Sequence, residues 1–138
     1  MNKVLIVGGD SFIGQDLQKF WSNQNFEIYQ TTRSKKNTNK IFFDLEQPDF
    51  SCFSSNYSFI VFLAGISSID FCKNHPKLSR KINVTNTIKS LNFFETICSN
   101  ILFISSADVF QGDTPRHKTD SPQKPKNLYG AHKAMVEK

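Results

Sequence analysis

The chain has 138 residues, of which 38% are hydrophobic and 21% charged, and its formal net charge is +5. That length gives room for one domain with a core of its own, in an ordinary globular composition. The positive charge is spread thinly, with "RSKK" (33–36) its densest run, so it argues for weak attraction to phosphate-bearing ligands and against a nucleic-acid partner.

Cys52, Cys72 and Cys98 are odd in number and lack metal-type spacing, so reduced thiols in a cytoplasmic protein are expected. "VLIVGG" is too short for the apolar region of a signal peptide, and no apolar run reaches the length of a membrane span, so no membrane partner is expected.

"KVLIVGG" (3–9) reads as a first strand buried on both faces. In "IGQDLQKFWSNQ", Ile13, Leu17, Phe20 and Trp21 recur at helical spacing, so a helix follows at once. "FEIYQTT" (26–32) and "KIFFD" (40–44) read as the second and third strands, and the strongly apolar "YSFIVFLAG" (57–65) as the fourth. "LSRKINVTNTIKSLNFFETICSN" (78–100) predicts a long amphipathic helix with Leu78, Ile82, Ile88, Leu91, Phe94 and Ile97 on its apolar face. "ILFISS" (101–106) reads as a fifth strand, "QGDTPRHKTDSPQKPKN" (111–127) as a loop, and a last helix opens near Leu128. Strands alternating with helices argue for a parallel sheet covered on both faces. No repeat and no domain boundary interrupts them, so a single domain over 1–138 is expected.

"VGGDSFIG" stands where the first strand becomes the first helix. Gly8 and Gly14 hold the outer positions of a G-x-x-G-x-x-G pattern, with Ser11 in the middle. Such a turn lets the backbone approach a pyrophosphate that faces a helix N-terminus, so Gly8, Ser11, Phe12, Ile13 and Gly14 are expected to bind a dinucleotide. A plain tight β–α turn is the alternative. About 20 positions past such a turn, an acid would bind the ribose 2′-hydroxyl of NAD. Here the chain reads "TTRSKK". Arg33 can fork onto a 2′-phosphate, and Thr32 and Ser34 can donate to it, so NADP is expected before NAD. A solvated basic loop is the other reading. Asp44 either accepts from the adenine amino group or caps the segment that follows it.

"NLYGAHKAMVEK" puts Tyr129 four residues before Lys133, on one face of the last helix. A free tyrosine has a pKa of about 10, and bringing it to about 7 takes roughly 4 kcal/mol of preferential phenolate stabilisation. A neighbouring ammonium can supply part of that, which makes the pair a candidate acid/base couple. His75, His117 and His132 share no metal-like spacing and are expected at the surface, and no metal is expected.

Taken together, "GGDSFIG", "FLAG", "CKNHPKLSRKINVTNT", "ISSADVFQGD" and "YGAHKAMVEK", in this order, resemble the extended short-chain dehydrogenase/reductases. "SSADVFQG" is most similar to the S-T-D-Y-V-F-D-G stretch of dTDP-4-dehydrorhamnose reductase-like members. There Ala107 stands in place of an aspartate and Asp108 in place of a tyrosine, and Cys72 replaces an alanine.

The resemblance implies a Rossmann-type doubly wound sheet of order 3-2-1-4-5. It implies a cofactor site that includes Leu45, Ala64 and Gly65, with Ser106 as a third catalytic partner and Lys133 also holding the nicotinamide ribose. It implies that Asn83 ties the long helix to the active-site region. The activity it implies is NADP-dependent reduction of a nucleotide-sugar ketone, with a homodimer compatible. Epimerase or dehydratase chemistry, or a noncatalytic NADP-binding module, are the alternatives. The family is about twice this length, so the chain is expected to lack the C-terminal substrate-binding region. On its own it is expected to bind NADP weakly and not to turn over sugars.

Overall fold

Asn2–Val7 form β1, whose aliphatic run Val4–Val7 is at most 2% exposed, so both faces of this strand are covered. In the computed structural model, which describes residues 2–53, 56–112 and 114–138, β1 lies at the middle of a five-stranded sheet. The other strands are β2 (Phe26–Thr32), β3 (Ile41–Phe42), β4 (Phe59–Phe62) and β5 (Ile101–Phe103). The order is β3-β2-β1-β4-β5 and every pairing is parallel, with Val4 opposite Ile28 on one side and Phe59 on the other. The expected Rossmann-like α/β sheet is present.

The chain divides into two compact units, one running up to Ala64 and including Lys89–Ile104, the other made of Gly65–Ile88 and Ser105–Lys138. The first holds the whole sheet and α1 (Phe12–Ser22). Its core is aromatic: Phe94, fully buried, packs edge-on against Phe53 at 5.0 Å and against Phe43 and Phe62 at 6.2 Å. Burying each such ring contributes about 1.5–3 kcal/mol. The second unit holds α2 (Ile69–Asn74), α3 (Pro76–Arg80), a π-helical turn (Lys81–Asn86), a 3-10 turn (Ala107–Val109) and α5 (Leu128–Val136). Helix α4 (Thr87–Glu95) starts at the end of one unit's segment and continues into the other's.

Two helices differ from expectation. In α1 the apolar stripe is not core: Phe20 is 61% exposed and Ile13 52%, and the one fully buried residue is Gly14. The predicted helix over 78–100 is α3, the π turn and α4 in succession, from Pro76 to Glu95. Its buried line includes Ser79, Asn83, Asn86, Thr87 and Ser90, while Ile88 is exposed. These small polar residues are buried without orphaning their side chains: Thr87 Oγ1 donates to the Ile82 carbonyl at 2.9 Å, and Ser79 Oγ to the Cys72 carbonyl at 3.3 Å. All three cysteines are free thiols, Cys72 and Cys98 buried and Cys52 exposed. Asp113, in the last loop, lies outside the described residues.

Candidate cofactor-binding and active site

In the first unit, β1 ends at a turn that only glycine can make. Gly8 has φ +98°, and a Cβ there would come within 2.9 Å of the Ala64 amide nitrogen at the end of β4. A Cβ on Gly14 would sit 2.7 Å from the Gly8 carbonyl oxygen. Ser11 is the N-cap of α1: its Oγ accepts from the Gly14 N–H at 3.0 Å and donates to the Gly8 carbonyl at 2.8 Å. Its hydroxyl is therefore engaged inside the turn. With Gly14 capped and the Gln15 N–H bonded to the Ser11 carbonyl, the first-turn amides of Phe12 and Ile13 have no acceptor within the helix. Both residues are exposed. A cradle that a Cβ would fill, with free amides at a helix N-terminus, fits a dinucleotide diphosphate.

The end of β2 is anchored to this turn. Thr31 Oγ1 accepts from the Gly8 N–H at 2.8 Å, and the Gly9 N–H donates to the Thr31 carbonyl at 3.1 Å. Thr32 is buried, while Arg33 and Ser34 are exposed. Thr32 Oγ1 accepts from the Ser34 N–H at 3.0 Å and donates to Asp10 Oδ2. Lys40 Nζ stands 2.9 Å from Asp10 Oδ1. Partial burial pushes the Asp10 carboxyl up, but the Thr32 and Lys40 hydrogen bonds and the Lys40 charge outweigh it and hold it below the ordinary range. Neither Asp10 nor Lys40 stood out in the sequence, because 30 positions separate them. Asp44 Oδ1 accepts from the Glu46 N–H at 2.9 Å, the local cap that was one of its two readings. The Leu45 side chain is buried.

In the second unit, Gly65 has φ +153° and is held beside Asn83. Asn83 Oδ1 accepts from the Ile66 N–H at 2.7 Å and its Nδ2 donates to the Ile66 carbonyl at 2.8 Å, so one buried amide clamps the loop after β4 onto the π turn. Ser106, Tyr129 and Lys133 come together in this unit. Ser106 caps the 3-10 turn by accepting from the Asp108 N–H, and its Oγ lies 3.2 Å from Asp108 Oδ2. Asn127 caps α5 through the Gly130 N–H at 2.7 Å and reaches Asp108 Oδ1 at 3.2 Å. Gly130 is required here, since a Cβ would stand 2.1 Å from the Asp108 carbonyl oxygen.

Lys133 Nζ lies 5.9 Å from the centroid of the Tyr129 ring. The Tyr129 phenol is pushed above its ordinary value, first by burial and then by the Asp108 and Cys72 charges, against a hydrogen bond with Ser106. Burial pushes the Lys133 ammonium down, opposed by Glu137. Among the protein's own groups desolvation is the largest influence on the phenol, and the Lys133 ammonium is not one of those that shift it.

His132 corrects an expectation. It is 1% exposed, not at the surface, and neither ring nitrogen has a hydrogen-bond partner. His75 and His117 are exposed or partly so and lie against Phe71 and Phe110. An open depression of about 430 Å³ is lined by Ser105, Ser106, Val109, Phe110, Thr119 and Glu137, where Ser105 and Gln123 both donate to the Glu137 carboxylate. Among the described residues no group of three or more His, Cys, Asp or Glu side chains is placed to hold a metal.

The RmlD substrate binding domain model matches residues 1–138. A comparison with curated proteins finds no significant match. Among solved structures, MoeE5 in complex with UDP-glucose and NAD superimposes with a TM-score of 0.87 at 21% identity, over 99% of this chain and 47% of that one. A hypothetical dTDP-4-dehydrorhamnose reductase from Sulfolobus tokodaii gives 0.82 at 23% identity, over 99% and 50%. The dTDP-4-dehydrorhamnose reductase from Bacillus anthracis in complex with NADP gives 0.78 at 22% identity, over 99% and 48%. At such identities the likeness is one of fold, and the chain spans about half the length of these proteins. The family match runs over every residue, on the sheet order and glycine turn that the fold requires, and so the chain belongs to the RmlD substrate-binding domain family of extended short-chain dehydrogenase/reductases.

Proposed function

We propose that this chain supplies the nicotinamide-binding half and the acid/base group of an NAD(P)-dependent oxidoreductase that reduces the ketone of a nucleotide sugar. The observation that carries this reading is the gathering of Ser106, Tyr129 and Lys133 in one compact unit. When bound, the reduced nicotinamide supplies a hydride to the ketone carbon. The Ser106 hydroxyl, which donates to Asp108 Oδ2 in this structure, turns to donate a hydrogen bond to the ketone oxygen, and Tyr129 gives its proton to the alkoxide that develops there. The Lys133 ammonium, close to the ring, favours the phenolate left behind.

A raised phenol suits this direction. A reductase needs Tyr129 as an acid, and burial together with the Asp108 charge keeps the proton on it. The relatives solved with UDP-glucose and NAD, and with NADP, support both ligand classes. Arg33 and the donors beside it support the phosphorylated cofactor, and the Asp10 carboxylate weighs against it.

The test is a single-turnover measurement of reduced-nicotinamide oxidation with a nucleotide 4-ketosugar, made with this chain joined to the C-terminal half that its solved relatives carry beyond it. Tyr129→Phe is expected to slow it by about 10²–10⁴-fold while cofactor binding is unchanged. Equal rates in the two proteins contradict the assignment.

A further inference from the structure

Two donors beside the end of β2, the Thr32 hydroxyl and the Lys40 ammonium, are already bound to an anion of the protein itself. Asp10 reaches from the glycine turn to the end of β2, where Thr32 Oγ1 donates to its Oδ2 at 2.5 Å. Lys40 Nζ donates to Oδ1 at 2.9 Å and to the Gly9 carbonyl at 3.2 Å. Thr32 has one hydroxyl proton, and it is spent on Asp10, while its oxygen accepts from the Ser34 N–H. Thr32 is only 2% exposed, so it has little room to turn elsewhere.

The carboxylate itself is half open, its side chain 51% exposed. An ionised carboxylate offers about four lone-pair sites, and Thr32 and Lys40 use two of them, which leaves room to accept from a hydroxyl. A 2′-hydroxyl can donate to it. A 2′-phosphate brings like charge against it and finds the Thr32 hydroxyl proton taken.

We infer that Asp10 is the residue that selects the cofactor's 2′ group: coming from the glycine turn, it stands in for the acid missing after the end of β2, so the site accepts NAD and disfavours NADP. Lys40 is its positioning residue, holding the carboxylate against the end of β2 and partly cancelling its charge. Arg33, exposed on the next residue, is the opposing element. The inference deepens the cofactor reading above and rests on it.

The test is titration of the chain with NADH and with NADPH, followed by calorimetry or ligand-observed NMR, with circular dichroism to confirm folding. The wild-type protein is expected to bind NADH at least about tenfold more tightly than NADPH, and Asp10→Asn to reduce that ratio by about tenfold or more through tighter NADPH binding. Lys40→Met, which leaves the carboxylate unneutralised, is expected to move the ratio the other way, and this keeps the test valid should Asp10→Asn fail to fold. A wild-type preference for NADPH, or a ratio unmoved by either substitution, overturns the inference and leaves the oxidoreductase reading standing. A folded wild-type chain that binds neither nucleotide overturns both.

Discussion

On α5, burial governs the chemistry of single residues more than pairwise charge does. Tyr129 and Lys133 are each pushed toward their neutral forms by desolvation, although they are neighbours on one helix. His132, between them in sequence, shows the same force without compensation. Its ring is buried with both nitrogens unpartnered, and burial first, then the Arg80 charge, pushes its pKa below the ordinary 6.5. Because the folded value is the lower one, the unfolded chain takes up the proton first as pH falls. Stability is therefore fully present above about pH 6.5 and is lost as pH drops toward the folded value. Urea unfolding at about pH 5 and about pH 8 is expected to show this loss. His132→Leu is expected to remove that part of the pH dependence and to raise stability at neutral pH by about 1–2 kcal/mol, since an orphaned polar ring is replaced by an apolar one. An unchanged pH slope in His132→Leu would show that His132 is not its source.

At the level of elements, the decisive contacts are short polar clamps. Asn83 is one, joining the Gly65–Ile66 loop to the π turn through both ends of its amide. Asn83→Ala deletes two buried hydrogen bonds and leaves the Ile66 backbone groups without that partner, at a cost of about 1–3 kcal/mol. The midpoint of chemical denaturation is expected to fall with no change in its slope. A midpoint within error of the wild type would mean that the clamp contributes nothing to stability. This clamp also shows what sequence patterns carry. Asn83 was legible only through resemblance, because apolar periodicity has no sign for a helix whose buried line includes Ser79, Asn86, Thr87 and Ser90. The same periodicity misplaced Ile13, Phe20 and Ile88, which lie at the surface. Strands fared better. β2 matches its run Phe26–Thr32 to the residue, and α5 begins at Leu128 directly after its Asn127 cap, since β-branched runs and caps are local signals.

For the molecule as a whole, the alternation of strands and helices sufficed to read the parallel sheet, and the observed order is the expected one. The glycine turn was legible for the same reason, being contiguous in sequence. Asp10 with Thr32 and Lys40 was not, because its partners lie 22 and 30 positions away and meet only when β1 and β2 pair. No described helix is long and apolar enough to cross a membrane. The central claim is that a nicotinamide dinucleotide rests its diphosphate on the turn Gly8–Gly14. Backbone amide NMR during NADH titration tests it most directly. The account expects saturable shifts concentrated at Phe12, Ile13 and Gly14, abolished in Gly14→Val, whose side chain would fill the cradle. Saturable binding whose shifts lie away from this turn, or that survives Gly14→Val unchanged, would contradict it.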